Sequence, residues 1–122
     1  MQNRSKRPDD LDIARYLPLR PTACAVLAAL AERPRPGIEI LDAVNATAPG
    51  HLLLGPGTLY RLMRELRQAN LVTRTESVED PGDDRQVHHE LTPLGQAVLR
   101  AELDRLRRTL TLAARARPAT DR

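Results

Sequence analysis

The run GPGTLYRLMRELRQANLV, Gly55 to Val72, constrains the fold more than any other stretch of the chain. Gly55, Pro56 and Gly57 interrupt what precedes them, and the fixed φ of Pro56 suits a first helical turn. At about 100° per residue, Leu59, Leu62, Met63 and Leu66 then share one face. Gly57, Arg61, Arg64 and Gln68 fall opposite, flanked by Tyr60 and Glu65. One side has a core to pack against, and the other is free to meet a polyanion. Asn70 ends the helix in a conformation it tolerates, and Leu71 with Val72 opens a strand. This is the layout of a helix that reads DNA.

Two helices are expected ahead of it. Pro21 opens the first, in which Ala23, Val26, Leu27 and Leu30 share a face, and it ends before Arg33, Pro34, Arg35 and Pro36. The second runs from about Gly37 to Ala46 with Ile40, Leu41 and Val44 together, and Pro49 with Gly50 ends it. Residues up to Asp10 are polar and read as disordered, and Leu11 to Tyr16 read as a short helical turn before Pro18. After the arginine-bearing helix come Leu71 to Val78, the turn cluster Glu79, Asp80, Pro81, Gly82, Asp83 and Asp84, and then Arg85 to Leu91. That pattern predicts a hairpin. Three helices followed by a two-stranded hairpin make a winged helix-turn-helix, a mainly α fold with a small β-hairpin.

Thr92 and Pro93 form a cap and first-turn pair for a last helix reaching about Ala116. Leu94, Ala97, Val98 and Ala101 form one apolar stripe on it. Leu99, Leu103, Leu106, Leu110 and Ala113 form another, about 150° away. A third face carries Arg100, Asp104, Arg107 and Arg108. A winged domain this small covers one stripe only, so the leucine stripe predicts a dimerisation helix pairing with a second copy of the chain. The expected organisation is a flexible tail over residues 1–16, the winged helix-turn-helix over 17–92, the dimerisation helix over 93–117 and a tail over 118–122.

Composition narrows the function. The 122 residues include no Phe, no Trp and two Tyr, so the core must be aliphatic. A net charge of +3 permits nucleic-acid binding without demanding it. Cys24 is the only cysteine, which excludes an internal disulfide and a cysteine-based zinc site and fits a reducing cytoplasm. Neither a signal-peptide h-region nor a long apolar run is present in the sequence, so no membrane role is expected. No nucleophile with a base, no paired carboxylates in an apolar setting and no phosphate-binding loop can be found, which argues against an enzyme and against a bound cofactor.

Several segments together resemble the PadR family of bacterial transcriptional regulators. LRPTACAVLAAL (Leu19 to Leu30) resembles the family's first helix and RPGIEILDAV (Arg35 to Val44) its second. LGPGTLYRLMRELRQANLV (Leu54 to Val72) resembles its recognition helix and the strand that follows, and LTPLGQAVL (Leu91 to Leu99) the opening of its dimerisation helix. The short C-terminal part is similar to the subfamily with one terminal helix. The resemblance implies a homodimeric repressor whose paired recognition helices read a near-palindromic double-stranded DNA operator. It also implies release when a small-molecule effector or another signal changes the dimer geometry. A cavity between subunits without Trp or Phe would hold flat, aromatic ligands weakly. Departures from the family pattern are Pro36, Gly37 and Ile38 in place of a His-Gly-Tyr run, and Arg85, Gln86, Val87, His88 and His89 in place of a basic, tyrosine-ended wing strand. Arg20 stands where a capping Ser or Thr is usual, a loss of about 1 kcal/mol unless another group caps the helix.

The candidate DNA contacts follow from chemistry. Arg61, Arg64 and Gln68 are the base-edge candidates, since Arg suits guanine O6 and N7 and Gln suits adenine. Thr58 and Tyr60, beside the helix N-terminus, suit phosphate. The acidic wing tip is repelled by phosphate, which leaves Arg85 as the wing's contribution. The same acidic tip supports a rival reading, a protein-interaction adaptor that keeps the winged scaffold without binding DNA. His88 and His89 are adjacent on a strand and point to opposite faces, so they make no close metal pair, and His51 is the only other histidine. Cys24 reads as a small buried thiol in preference to a redox sensor.

Overall fold

A computed structural model describes residues 10–47, 50, 53–75 and 87–116. Its elements in chain order are α1 (Asp10–Ala14), α2 (Pro21–Ala29), β1 (Arg35–Pro36), α3 (Gly37–Ala46), α4 (Pro56–Gln68), β2 (Val72–Thr75), β3 (His88–Leu91) and α5 (Pro93–Ala114). The two terminal tails beyond these residues, the acidic wing tip, Arg85 and His51 lie outside the described residues.

The core is aliphatic because the sequence offers nothing else. Val26, Leu27 and Leu30 from the α2 segment meet Ile40 and Val44 from α3 and Leu59, Leu62, Met63 and Leu66 from α4. Leu71, Val72 and Leu91 close one end, and Val98 and Leu99 bring in α5. Packing begins earlier along the chain than the expected boundary at Leu17, because Ile13 and Tyr16 already rest on this cluster. The Tyr16 hydroxyl donates to the Ala69 carbonyl at 3.4 Å, tying the first segment to the end of α4.

The wing differs from expectation by one strand. Instead of a two-stranded hairpin, the sheet has three antiparallel strands in the order β1-β3-β2. Arg35 and Pro36 pair with His89 and His88, and Val72 to Thr75 pair with Leu91 to His88. A two-residue strand is too short to show a period-2 pattern, and its proline is tolerated because β1 is an edge. The Arg-Pro repeat that reads as a helix breaker is also the third strand.

The junction between α4 and α5 is the most tightly specified part of the chain. Asn70 takes a left-handed φ of 64°. Its N–H donates to the Arg67 carbonyl and that of Leu71 to the Leu66 carbonyl, both at 3.0 Å, which is the double bond of a Schellman motif. Thr92 then fastens α5 to this end. Its N–H donates to the Leu71 carbonyl at 3.1 Å, its hydroxyl donates to the Asn70 carbonyl at 2.6 Å, and the same oxygen accepts from the Gly95 N–H at 2.9 Å. The expected Thr92 cap is therefore formed. The expected gap at Arg20 is real as well: no side chain caps α2, and the Arg20 guanidinium instead pairs with Glu65 at 2.7 Å.

On α5, Val98 is fully buried with Leu94, Ala97 and Ala101 partly covered beside it, as the first stripe requires. The second stripe needs one correction. Leu99 is 5% exposed and belongs to the protomer's own core, so it has almost no area left for a partner. The stripe's free part begins at Leu103 and continues through Leu106, Leu110 and Ala113, with Leu110 at 69% exposed. A buried acid also sits on this helix where nothing in the sequence marks one. Glu102 is 2% exposed and accepts two hydrogen bonds from Arg105, Nε to Oε1 at 2.9 Å and Nη2 to Oε2 at 2.8 Å. Those bonds hold its carboxyl below the usual range against the opposing effect of burial, with help from a hydrogen bond from the Leu19 main chain. The segment between α1 and α2 is thereby anchored to α5.

Candidate nucleic-acid interface

The arginine-bearing helix is aimed by the last turn of α3. Asn45 Nδ2 donates to the Leu54 carbonyl at 3.0 Å and its Oδ1 accepts from the Leu54 N–H at 2.7 Å. One side chain thus satisfies both main-chain groups of the residue two places before Pro56. Gly55 occupies the cap position of α4 without a side-chain cap, and the Leu59 N–H makes the first intrahelical bond to the Gly55 carbonyl. The N–H groups of the first turn are left for an outside acceptor, the arrangement that suits phosphate.

The faces of α4 separate as the sequence predicts. Leu59, Leu62, Met63 and Leu66 are buried, while Thr58, Tyr60, Arg61, Arg64 and Gln68 are exposed. Tyr60 is 76% exposed, so it does not cover the core edge. Among the described residues no carboxylate pairs with Arg61 or Arg64. Glu65, the only acid of the helix, is engaged by Arg20. That pair is exposed on both sides and adds little stability, but it holds the carboxylate beside Arg20 and leaves the arginine face cationic.

Two further cations join this face from positions the sequence reading passed over. Arg67, in the last turn of α4, is half-buried, and Arg74 on β2 is exposed. Burial, then the charges of Arg74 and Arg64, lower the pKa of Arg67. The helical wheel places Arg67 on the flank of α4, between packed and open faces, which is why it reads as a surface residue of no special role. Arg74 stands opposite His89 in the ladder, and Arg35 stands opposite it on the other side. Arg35 is committed elsewhere, its Nε to the Ala29 carbonyl and its Nη2 to Glu32 at 3.2 Å.

His89 is the odd group in this cluster. Its Nδ1 is buried with no partner among the described residues. Burial first, then the charges of Arg67, Arg74 and His88, push its pKa down to about 4. The folded protein therefore binds fewer protons than the unfolded chain between about 6.5 and 4, and stability present above that window is lost as pH falls through it. Allowing for solvent screening, the loss is about 2 kcal/mol. Urea midpoints of the wild type are expected to fall between pH 7 and pH 5, and those of His89→Gln to stay nearly flat over the same interval.

Cys24 is half-buried, and burial, then Glu102, raise its thiol against a smaller opposing effect of Arg105. Among the described residues no group of three or more His, Cys, Asp or Glu side chains gathers as a metal ion would need, and no helix is long and apolar enough to cross a membrane.

The arrangement of three helices, wing and long terminal helix is shared with solved structures of transcription regulators. A PadR family regulator from Clostridium difficile aligns with a TM-score of 0.64 at 21% identity, over 75% of this chain and 92% of that one. A MarR family regulator aligns with a TM-score of 0.68 at 19% identity, over 89% of this chain and 65% of that one. The regulator BldR from Sulfolobus solfataricus aligns with a TM-score of 0.64 at 19% identity, over 89% and 71%. At these identities the likeness establishes the winged-helix fold alone. No curated protein matches the sequence. The family is established by the sequence itself, since the profile of the transcriptional regulator PadR-like family matches residues 26–101, more than half of the chain. The chain belongs to the PadR-like family of transcriptional regulators.

Proposed function

We propose that the protein is a homodimeric repressor that binds a near-palindromic DNA operator through paired α4 helices and is released by a ligand or other signal. The observation that carries this reading is the division of α4 into a buried leucine face and an exposed face bearing Arg61, Arg64 and Gln68 without carboxylate partners among the described residues. Arg61 and Arg64 supply guanine contacts and Gln68 an adenine contact, while Thr58, Tyr60 and Arg85 hold phosphates. Membership of a transcriptional-regulator family supports DNA as the partner and argues against an enzyme.

The second half of the proposal rests on α5. Leu103, Leu106 and Leu110 are exposed large apolar side chains in a four-three row on a helix of 22 residues. Such a row is costly in water and is covered when a second copy lies alongside it. Leu106→Asp with Leu110→Asp is expected to shift the protein from dimer to monomer in sedimentation equilibrium, with the helix content of the protomer retained. A wild-type protein that sediments as a monomer at micromolar concentration overturns the dimer.

Selection of bound fragments from a random DNA pool tests DNA binding and symmetry together. Recovered sites with two inverted halves about 34–36 Å apart, one helical turn, support a symmetric dimer reading successive grooves. A protein that enriches no sequence and shifts no DNA at low salt overturns the reading.

A further inference from the structure

We propose that Arg67 and Arg74 form a clamp for a DNA backbone phosphate, placed between the recognition helix and the wing. The proposal rests on the DNA-binding reading above and adds a contact site that neither helix nor wing supplies alone.

Three observations converge on it. The first is location. A helix is about 10–12 Å across and the major groove about 12 Å wide, so a helix lying in the groove turns one face to base edges and its flanks to the phosphate walls. Arg67 is six residues beyond Arg61, which puts it about 120° around the helix from the base-facing side. It lies on the flank that meets β2, where Arg74 stands.

The second is charge without compensation. Among the described residues Arg67 and Arg74 have no carboxylate partner, although Arg20, Arg33, Arg35, Arg105 and Arg107 all do. Two guanidinium groups within electrostatic reach of each other, one of them half-buried, repel unless an anion sits between them. A phosphate offers oxygens to both and suits the fork geometry of Arg.

The third is the neighbouring histidine. His89 faces Arg74 across the ladder and its buried Nδ1 is unpartnered among the described residues. Arg67, Arg74, Arg35 and His88 surround it, and no described carboxylate offsets the Arg67 and Arg74 charges. His89 thus sets a buried polar atom without a hydrogen-bond partner among the described residues beside the uncompensated Arg67 and Arg74 charges.

The test uses full-length protein with a fragment recovered by the selection and an unrelated duplex of equal length, read by fluorescence anisotropy across a salt series. Arg74 is exposed on its strand, so Arg74→Gln leaves the core intact and decides the matter even if Arg67→Gln fails to fold. Each variant is expected to bind both duplexes about three- to tenfold more weakly, with equal loss on the two, and to lower the salt slope by about 0.9. Arg67→Lys is expected to keep the wild-type slope. If the wild type binds DNA and both glutamine variants keep its affinity and slope, the clamp is overturned and the DNA-binding reading stands. If the wild type binds no DNA, the DNA-binding reading itself falls. Calorimetric titration with inorganic phosphate separates the sources of the anion. Saturable binding that Arg74→Gln abolishes, with DNA affinity unchanged, would assign the pair to a free anion and overturn the proposal.

Discussion

Gly95→Ala is expected to lower stability by about 3 kcal/mol or more, enough to drop the thermal midpoint by more than 10 °C in a domain of this size. The direction is opposite to the usual one. A glycine inside a helix ordinarily gains about 1 kcal/mol on replacement by alanine. At this site a Cβ would stand 2.0 Å from the Leu71 carbonyl oxygen and 3.0 Å from its carbon. Both atoms are main chain, and that same carbonyl already accepts from the Thr92 N–H. It cannot move aside without breaking the bond that fastens α5 to the end of α4. The clash therefore outweighs the gain in helix propensity. Differential scanning calorimetry of the variant checks the sign, and a midpoint at or above that of the wild type would show that the first turn of α5 is looser than described.

The second large effect is on binding. Arg61→Ala with Arg64→Ala is expected to weaken operator binding by about 2–6 kcal/mol, roughly a factor of 30 or more, since each good arginine–guanine pair contributes about 1–3 kcal/mol of discrimination. Stability is expected to change by less than about 0.5 kcal/mol, because both side chains are exposed and touch no described partner. The loss should be larger on the selected site than on unrelated DNA, which distinguishes base readers from phosphate contacts. Affinity retained on the selected site would move sequence recognition away from this face of α4. A mobility-shift titration on both duplexes, at one fixed salt concentration, gives the comparison.

Much of this architecture is legible in the sequence because its punctuation is strong. Pro21, Pro56 and Pro93 each open a helix, and the bounds of α2, α3 and α4 fall within a residue or two of where periodicity and breakers place them. Asn70 and Thr92 announce their caps by residue type alone. The features that escape are those that depend on distance in space. β1 is two residues long, so no alternation can reveal it; it exists because the β3 edge is there to pair with. Glu102 looks like one more charge on a helix crowded with them, and only the approach of the α1–α2 segment and of Arg105 makes it a buried, satisfied acid. Leu99 falls on the second stripe by the wheel, and only packing shows that it belongs to the interior. Arg67 and Arg74 are seven residues apart across a helix end, a relation no helical or strand period encodes.

The bonds from Thr92 to the Asn70 and Leu71 carbonyls fasten the start of α5 to the end of α4. α5 is about 33 Å long at 1.5 Å per residue over 22 residues, and these bonds make it turn together with the end of α4. A tilt of about 5° of such a rod carries its tip through about 3 Å, comparable to the length of a hydrogen bond. In the proposed dimer, a small change of angle between the two α5 helices would therefore be enough to lift the Arg61 and Arg64 guanidinium groups out of reach of base edges, with no rearrangement inside either copy.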